Sequence, residues 1–233
     1  MGKGWKVGGM LENAAKKGRI FTKLAREITV ATKLGGPDPG SNSRLRMAID
    51  AAREESCPKD TIERAIKRGS GQLDDDAIIE ELTYEGYGPH GVGVIVECQT
   101  DNKNRAASEV RTSFKSHGGN MGESGSVAWM FNRVGLVEGK KAGTFDPDEE
   151  AIEAGADEVE KHEDGSFAFY TTPDNVGGLS KALAGRGWKV DKAELSYKAK
   201  DTTTLTEIQM KDVVKFLQEL DDHDDTHRVH ATI

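Results

Sequence analysis

The sequence predicts an α+β protein of several domains, with a helical domain at the N-terminus and two small α+β units after it. Three observations predict this fold class. Residues 12–68 place apolar side chains at spacings of three and four, which is the helical period. After residue 77, short β-rich runs alternate with amphipathic helices. These runs lack the continuous apolar character of a buried parallel sheet, so they favour small sheets with helices on one face.

The first predicted helix covers residues 12–34 and has two different faces. Its apolar residues recur along one side: Ile20, Phe21, Leu24, Ile28 and Ala31. Its cations recur on roughly the opposite side: Lys16, Arg19, Lys23, Arg26 and Lys33. The pattern indicates a helix that packs on a domain core and presents a basic stripe to solvent.

Two shorter helices complete the predicted helical domain. The stretch "GGPDPGSNS" at 35–43 is a helix-breaking loop, and Asn42 or Ser43 can cap a second helix that runs to about Ser56. Pro58 begins a third helix, and Gly69 ends it. Residues 1–70 are therefore predicted to form one helical domain.

The rest of the chain contains two strand–helix–strand patterns. The first has the strand runs "IIEELTYEGYG" and "GVGVIVECQT", a helix over 101–119 that Asp101 or Asn102 can cap, and a short strand, "GSVAWMF". The second has the acidic helix "FDPDEEAIEAGADEVEKH", the strand "SFAFYTT", the helix "PDNVGGLSKALAGRG" and the strand "WKVDKAELSYKAK". The first lacks one helix–strand pair, which the C-terminal segments "TEIQMKDVVKFLQELDD" and "HRVHATI" would supply. The predicted domains are therefore 1–70, 71–131 with 205–233, and an inserted domain at 132–204.

Charge is divided unevenly along the chain, whose formal net charge is −8. Residues 1–70 hold 15 lysines and arginines against 8 acidic residues, and the other 163 residues hold 17 against 32. A basic domain in an acidic chain indicates a surface for an acidic partner, and lysine and arginine side chains bind nucleic-acid phosphates without reading sequence. The two cysteines, Cys57 and Cys98, stand in no CxxC motif and fit a reducing cytoplasm.

Motifs for chemistry are weak. "GYGPHG" matches G-x-G-x-x-G, but a strand follows it where dinucleotide binding needs a helix, so it predicts a hairpin turn. "GESGS" has Ser126 where a hydrolase elbow needs glycine. His223, His227 and His230 lie among aspartates where a helix gives way to a strand, which indicates acidic residues at a solvated end rather than a metal site. We therefore predict no catalytic site, no metal and no cofactor.

Several long motifs in fixed order resemble the YebC/PmpR family: "KGRIFTKLAREITVATKLGG", "PDPGSNSRLRMAIDAAR", "CPKDTIERAIKRGSG", "YEGYGPHGVGVIVECQTDNKNRAASEVR" and "HGGNMGESGSVAWMF". The resemblance implies a helical bundle followed by two ferredoxin-like α+β domains, one inserted into the other. It implies a cytoplasmic DNA-binding transcriptional regulator. It also implies an alternative, since mitochondrial relatives are translational activators and bacterial members are linked to stalled ribosomes.

The N-terminus departs from the family pattern. Where the family has a basic, histidine-containing segment, this chain reads "GKGWKVGGMLENAAKKGRIF", and "GGMLE" replaces the His-Arg-Lys cluster. The predicted phosphate contacts therefore begin at Lys16. They are Lys16, Lys17, Arg19, Lys23, Arg26, Arg44, Arg46, Lys59, Lys67 and Arg68. A polar, glycine-rich loop after the 101–119 helix is a second candidate, at Asn120, Met121, Gly122, Glu123 and Ser124.

Four functional hypotheses follow from the sequence. The leading one is a non-enzymatic, nucleic-acid-binding regulator of gene expression that contacts duplex DNA. The alternative is a ribosome-associated translation factor that meets ribosomal RNA with the same cations and relieves stalling. An enzyme on a ferredoxin-like scaffold lacks an assembled nucleophile and base. In a protein-interaction module, the acidic 146–164 segment would bind the partner, although such a segment is more typical of a solvated helix.

Overall fold

The structure, a computed structural model, describes the backbone of residues 4–73 and 78–233 and, within these ranges, the side chains from Lys17 onward. Three helices come first: α1 (Gly4–Gly35), α2 (Ser43–Glu54) and α3 (Lys59–Gly69). They pack around one apolar core that includes Ile28, Leu45 and Ile62. The helix α1 begins earlier than the predicted residue 12.

The elements of the two sheets follow in chain order. The first group is β1 (Glu80–Tyr87), β2 (Gly93–Thr100), α4 (Lys103–Ser116) and β3 (Asn120–Met121). The second group is β4 (Phe131–Lys140), α5 (Pro147–Ala154), β5 (Glu158–Lys161), β6 (Phe167–Thr171), α6 (Val176–Gly185) and β7 (Lys189–Ala199). The chain ends with α7 (Glu207–Asp222) and β8 (Thr226–Ala231). In the part of the chain that the structure describes, no helix is long and apolar enough to cross a membrane.

Local signals place several of these boundaries. The side chain of Asn42 accepts a hydrogen bond from the Leu45 amide at the start of α2, and Asn102 accepts one from Arg105 at the start of α4. "GYGPHG" forms the predicted hairpin turn, because Pro89–Gly91 makes a short 3-10 turn between the antiparallel strands β1 and β2. These predictions are confirmed.

Both sheets have four strands, and every pair is antiparallel. The first sheet has the order β3-β1-β2-β8, and the second has the order β5-β6-β4-β7. The second sheet follows the ferredoxin-like chain order of strand, helix, two strands, helix and strand. The first sheet has the same spatial arrangement of four strands but a different chain order. Its strand β1 comes first in the chain, and it occupies the position that the third strand has in the ferredoxin-like order. The predicted fold class is confirmed: a three-helix region and two α+β sheet domains, one inserted into the other.

The contacts divide the chain into two compact units. One holds residues 1–127 and 203–231, and the other holds residues 128–202 with 232–233. The core of the first sheet joins β2 to α4 and α7, through Val96, Phe114 and Phe216. The core of the second joins β6 to α6 and Trp188, through Phe169 and Leu179. The three helices share a unit with the first sheet, and the predicted domain boundaries at residues 70 and 71 stay a prediction.

Two predicted elements differ from the structure. The stretch "GSVAWMF", residues 125–131, does not form the predicted strand. A 3-10 turn covers Ala128–Met130, and β4 begins only at the last residue of the stretch, Phe131. The acidic segment 146–164 is not one helix either. Gly155, with a φ of 80°, ends α5, and Glu158–Lys161 form the edge strand β5. Charged residues are tolerated on an edge strand. The same acidic segment can therefore form a helix in its first half and an edge strand in its second half.

Candidate nucleic-acid interface

Solvent-exposed cations lie on all three N-terminal helices. Of the predicted phosphate contacts, the exposed ones are Lys17, Arg19, Arg46, Lys59 and Lys67. Lys59 pairs with Glu63 one helical turn away, with 3.4 Å between Nζ and Oε1. Because both side chains are exposed, this ion pair contributes little to stability. Among the described residues, the other four exposed cations have no ion-pair partner. The side chain of Lys16 lies outside the described residues.

The sequence prediction omitted three further exposed cations on the same helices: Lys33 at the end of α1, Arg53 on α2 and Arg64 on α3. Arg53 Nη1 lies 3.2 Å from the exposed Asp50 carboxylate. The helical spacing of these residues could have indicated them. Arg68 is half-buried and has an interaction within the chain.

Two cations of the predicted basic stripe contact the C-terminal segment of their own chain. Lys23 Nζ lies 3.5 Å from the Asp221 carboxylate and donates to the Asp221 carbonyl. Arg26 Nη1 lies 3.0 Å from Asp225 Oδ1 and donates to the Asp224 carbonyl. The structure therefore gives Lys23 and Arg26 a structural role that helical periodicity did not indicate, and their contact with phosphate stays a prediction.

Asp225 accepts ion pairs from two arginines, Arg26 and Arg105. Its side chain is 2% exposed, and both carboxylate oxygens accept hydrogen bonds of 2.8 Å from Arg105. Burial would raise the pKa of Asp225, but the hydrogen bonds from Arg105 and the charge of Arg26 lower it. The interpretation of this segment as acidic residues at a solvated end is therefore wrong for Asp225.

A shallow groove beside these ion pairs is balanced in charge. Three arginines and four acidic residues line it, together with His223: Arg19, Arg26, Arg105, Asp101, Glu109, Asp222 and Asp224. A phosphate entering the groove would meet acidic side chains as often as basic ones. The groove therefore does not extend the cationic surface of the helices toward the first sheet.

Arg44 and Glu27 form a further internal ion pair. Arg44 Nε and Nη2 lie 2.7 and 3.0 Å from the Glu27 carboxylate, and Nη2 also reaches Glu81 at 2.8 Å. Gln99 Nε2 donates to Glu27 at 2.7 Å, and His227 Nε2 lies 3.2 Å from it. Burial would raise the pKa of Glu27, but Arg44, with help from the nearby cations, holds that pKa at about 2. Glu27 thus links α1 to α2 and to the first sheet.

The three histidines near the C-terminus contact three different carboxylates. His223 lies 3.9 Å from Glu109, and His230 Nε2 lies 3.0 Å from Glu97. The third, His227, is the neighbour of Glu27 already described. In the described ranges, no group of histidine, cysteine and acidic side chains is arranged to hold a metal ion.

One histidine also belongs to an arrangement that resembles a catalytic triad. Ser113 Oγ lies 2.7 Å from His223 Nε2, and Glu109 is the acid on the far side of that ring. The serine is 1% exposed, however, and its hydroxyl also lies 2.9 Å from the Glu219 carboxylate. A nucleophile must reach its substrate, so this buried contact is a structural link between α4 and α7.

The predicted loop at 120–124 is fixed at both ends. Asn120 and Met121 form β3 and pair with β1, and the Gly122 amide donates to the Glu85 carbonyl at 2.8 Å. The Glu85 carboxylate accepts hydrogen bonds from the amides of Gly125 and Val127 at 2.9 and 3.0 Å. The loop therefore has a defined backbone that presents Glu123 and Ser124 to solvent.

Gly86 permits β3 to approach β1 at the base of this loop. A Cβ atom on Gly86 would lie 2.5 Å from the Asn120 carbonyl oxygen and 2.8 Å from the Phe114 ring. Any side chain at this position would therefore displace the start of the loop.

Comparisons with known proteins agree with this architecture. Residues 8–72 match the family described as the TACO1/YebC protein N-terminal domain, and residues 79–233 match the TACO1/YebC second and third domain. The chain is 69% identical over its full length, and the full length of the relative, to a probable transcriptional regulatory protein of Bdellovibrio bacteriovorus. It is 50% identical to one of Hydrogenobaculum, over 90% of this chain and 83% of the relative.

A solved structure is similar as well. The crystal structure of a conserved hypothetical protein from Aquifex aeolicus superposes with a TM-score of 0.85 at 42% identity, covering 94% of this chain and 90% of that one. The two family matches together span both the helices and the sheets described above. The chain therefore belongs to the TACO1/YebC family.

Proposed function

We propose that this protein is a non-enzymatic, nucleic-acid-binding regulator of gene expression that contacts duplex DNA through its N-terminal helices. The observation that carries the proposal is the set of exposed cations on α1, α2 and α3, four of which, within the described ranges, have no acidic partner in the chain. Relatives named as probable transcriptional regulatory proteins support the same function. The two buried free cysteines fit a cytoplasmic location.

The physical basis is phosphate neutralisation. A lysine or arginine that is already paired within the protein gains little from a phosphate, because it must give up its first partner. An unpaired exposed cation loses no such partner, and its binding releases counterions from the nucleic acid. Lys17, Arg19, Arg46 and Lys67 therefore contribute most to affinity, and Lys23, Arg26 and Arg44 contribute less.

Salt dependence tests the proposal. The probe is a fluorescein-labelled duplex of mixed sequence, and its anisotropy is titrated with the full chain at several salt concentrations. The triple variant Arg19→Gln, Arg46→Gln, Lys67→Gln removes three of the unpaired cations. We expect it to lower the slope of log K against log salt by about 2–3, because each lost phosphate contact removes about 0.9.

A matched triple variant controls for total charge. Lys181→Gln, Lys211→Gln and Lys215→Gln also removes three exposed cations, from α6 and α7. Its salt slope should equal that of the wild type. Equal losses in the two triple variants would show that net charge rather than the helical surface governs binding, and a wild type that binds no duplex at all would reject the proposal.

The fixed loop favours a second candidate function, a ribosome-associated translation factor. The carboxylate of Glu85 holds the loop backbone in place before any partner arrives, which lowers the entropy cost of inserting the tip into a confined site. The tip carries Glu123, so it suits contact with protein or RNA bases better than with phosphates. Co-sedimentation with ribosomes at physiological salt, compared with duplex affinity in the same buffer, separates the two functions.

A further inference from the structure

An exposed aromatic side chain with cations beside it lies at one end of the second sheet. Trp129 is 64% exposed, although the other tryptophan of this unit, Trp188, is 4% exposed and lies in the core. Trp129 is in the 3-10 turn that leads into β4. Tryptophan is enriched at binding interfaces, because its large ring offers both apolar area and a hydrogen-bond donor.

The backbone of β7 fixes the position of this turn. Phe131 pairs with Ala199 across the β4–β7 ladder, and the Lys200 amide donates to the Met130 carbonyl at 2.9 Å. The Lys200 ammonium group donates to the Trp129 carbonyl at 2.7 Å. An exposed positive charge is therefore held at the backbone of the residue that carries the exposed indole.

A second aromatic–cation pair lies on the same two strands. Arg133 is directly opposite Tyr197, its guanidinium carbon is 5.4 Å from the centroid of the tyrosine ring, and its Nη1 lies 3.1 Å from the tyrosine hydroxyl. Arg133 is two residues from Phe131, about 7 Å along the strand. The two pairs are thus at the same end of the sheet.

The immediate sequence is basic although the unit as a whole is acidic. Residues 128–133 and 197–200 contain three cations and no acidic residue. One of these cations, Lys198, is paired with Glu158 and Glu160. The other two, Arg133 and Lys200, are exposed and have no acidic partner among the described residues.

We propose that this end of the second sheet binds single-stranded nucleic acid, with an unpaired base on the Trp129 ring and the adjacent phosphates at Lys200 and Arg133. Aromatic rings beside cations form such platforms, because a base stacks on the ring while the backbone follows the positive charge. A duplex cannot use the indole in this way, since its bases are already stacked on each other. The inference rests on the proposed function, nucleic-acid binding, and adds a strand-specific site outside the N-terminal helices.

The test compares two probes in one buffer: a fluorescein-labelled oligothymidylate and the labelled duplex, each titrated with the full chain. Trp129→Ala should weaken oligothymidylate binding by about 5- to 150-fold, which corresponds to one stacked base at about 1–3 kcal/mol. Duplex binding should change less than about twofold. Trp129→Phe retains a ring and should retain most of the affinity for the single strand.

Two further variants separate stacking from general surface effects. Ile152→Ala removes another exposed apolar side chain of the same unit, which is 76% exposed on α5, and should leave both affinities unchanged. Lys200→Gln should lower the salt slope for the single strand by about 0.7. Quenching of intrinsic tryptophan emission by oligothymidylate should fall in Trp129→Phe, and thermal unfolding of each variant should match the wild type.

The outcomes distinguish this site from the proposed function. A wild type that binds duplex but not oligothymidylate overturns the single-strand site and leaves the proposed function intact. A Trp129→Ala variant that binds both probes like the wild type, or loses both equally, also overturns it. A wild type that binds neither probe rejects both proposals.

Discussion

Replacing Glu27 by glutamine should destabilise the first unit at neutral pH and destabilise it less in acid. Glu27 is 9% exposed and contacts residues of α2, β2 and β8 at distances of 2.7–3.2 Å. Glutamine has almost the same shape but no charge. The substitution therefore removes the electrostatic attraction to Arg44 while it preserves packing.

The magnitude follows from the shift in pKa. The pKa of Glu27 is held at about 2 in the folded chain, against an ordinary value of 4.5. One pKa unit corresponds to about 1.4 kcal/mol, so the ionised carboxylate stabilises the fold by about 3 kcal/mol. A buried arginine contact that loses its partner costs a similar amount.

The sign of the pH dependence follows from the direction of this shift. Because the folded pKa lies below the unfolded one, the stabilisation is complete above a pH of about 4.5 and is lost as the pH falls toward about 2. The difference between wild type and Glu27→Gln should therefore shrink over that window.

Urea unfolding followed by far-ultraviolet circular dichroism measures this difference at neutral pH and at about pH 3. Glu81→Gln is the matched control: it also removes a carboxylate from Arg44, but one whose side chain is 45% exposed, and it should cost less than about 1 kcal/mol. A Glu27→Gln variant as stable as the wild type at neutral pH, or equally destabilised at both pH values, would show that the charge of Glu27 does not stabilise the fold.

Three further substitutions test the contacts of the first unit. Asp225→Asn should lower the free energy of unfolding by about 3–5 kcal/mol, because it leaves two arginines without their buried partner. The control, Asp224→Asn, changes an exposed aspartate and should have little effect on stability. Equal losses of stability in the two variants, measured by thermal unfolding, would contradict this prediction. Glu85→Gln should speed hydrogen exchange of either the Gly125 or the Val127 amide by about 10- to 100-fold, because an amide side chain has one acceptor oxygen instead of two. Unchanged exchange at both amides would show that the carboxylate does not hold the loop. Gly86→Ala should destabilise the chain by about 1–3 kcal/mol in urea unfolding, because the added methyl group would overlap β3, and a neutral effect would mean that the strand moves aside.

Much of the fold could be predicted from neighbouring residues. Helical periodicity located α1, α2 and α3, the asparagines at 42 and 102 marked two helix starts, and "GPHG" marked a hairpin. These features depend on side chains within a few positions of one another, so the order of residues is enough to indicate them. The acidic 146–164 segment was harder, because its charges suit an exposed helix and an edge strand equally.

The sequence predicted the positive charge of the candidate interface, but not which of its cations are paired within the chain. Counting cations predicted an acidic-partner surface on the N-terminal helices, and helical spacing predicted that Arg26 lies on the solvent side of α1. The structure instead pairs Arg26 with Asp225, and Lys23 with Asp221, in each case almost 200 residues later in the chain. Nothing near either position indicated that contact.

The amino-acid order alone therefore fixed the local elements, the family and the excess of positive charge at the N-terminus, because each of these is a sum over neighbouring residues or a direct match of motifs. The folded chain decided which cations remain available to a partner, and it placed Trp129 beside Lys200 at the end of the second sheet. Both results depend on long-range strand and helix packing. The ion pairs of Lys23 and Arg26, and the position of Trp129, exist only once distant segments have packed together, so residue spacing carries no signal for them.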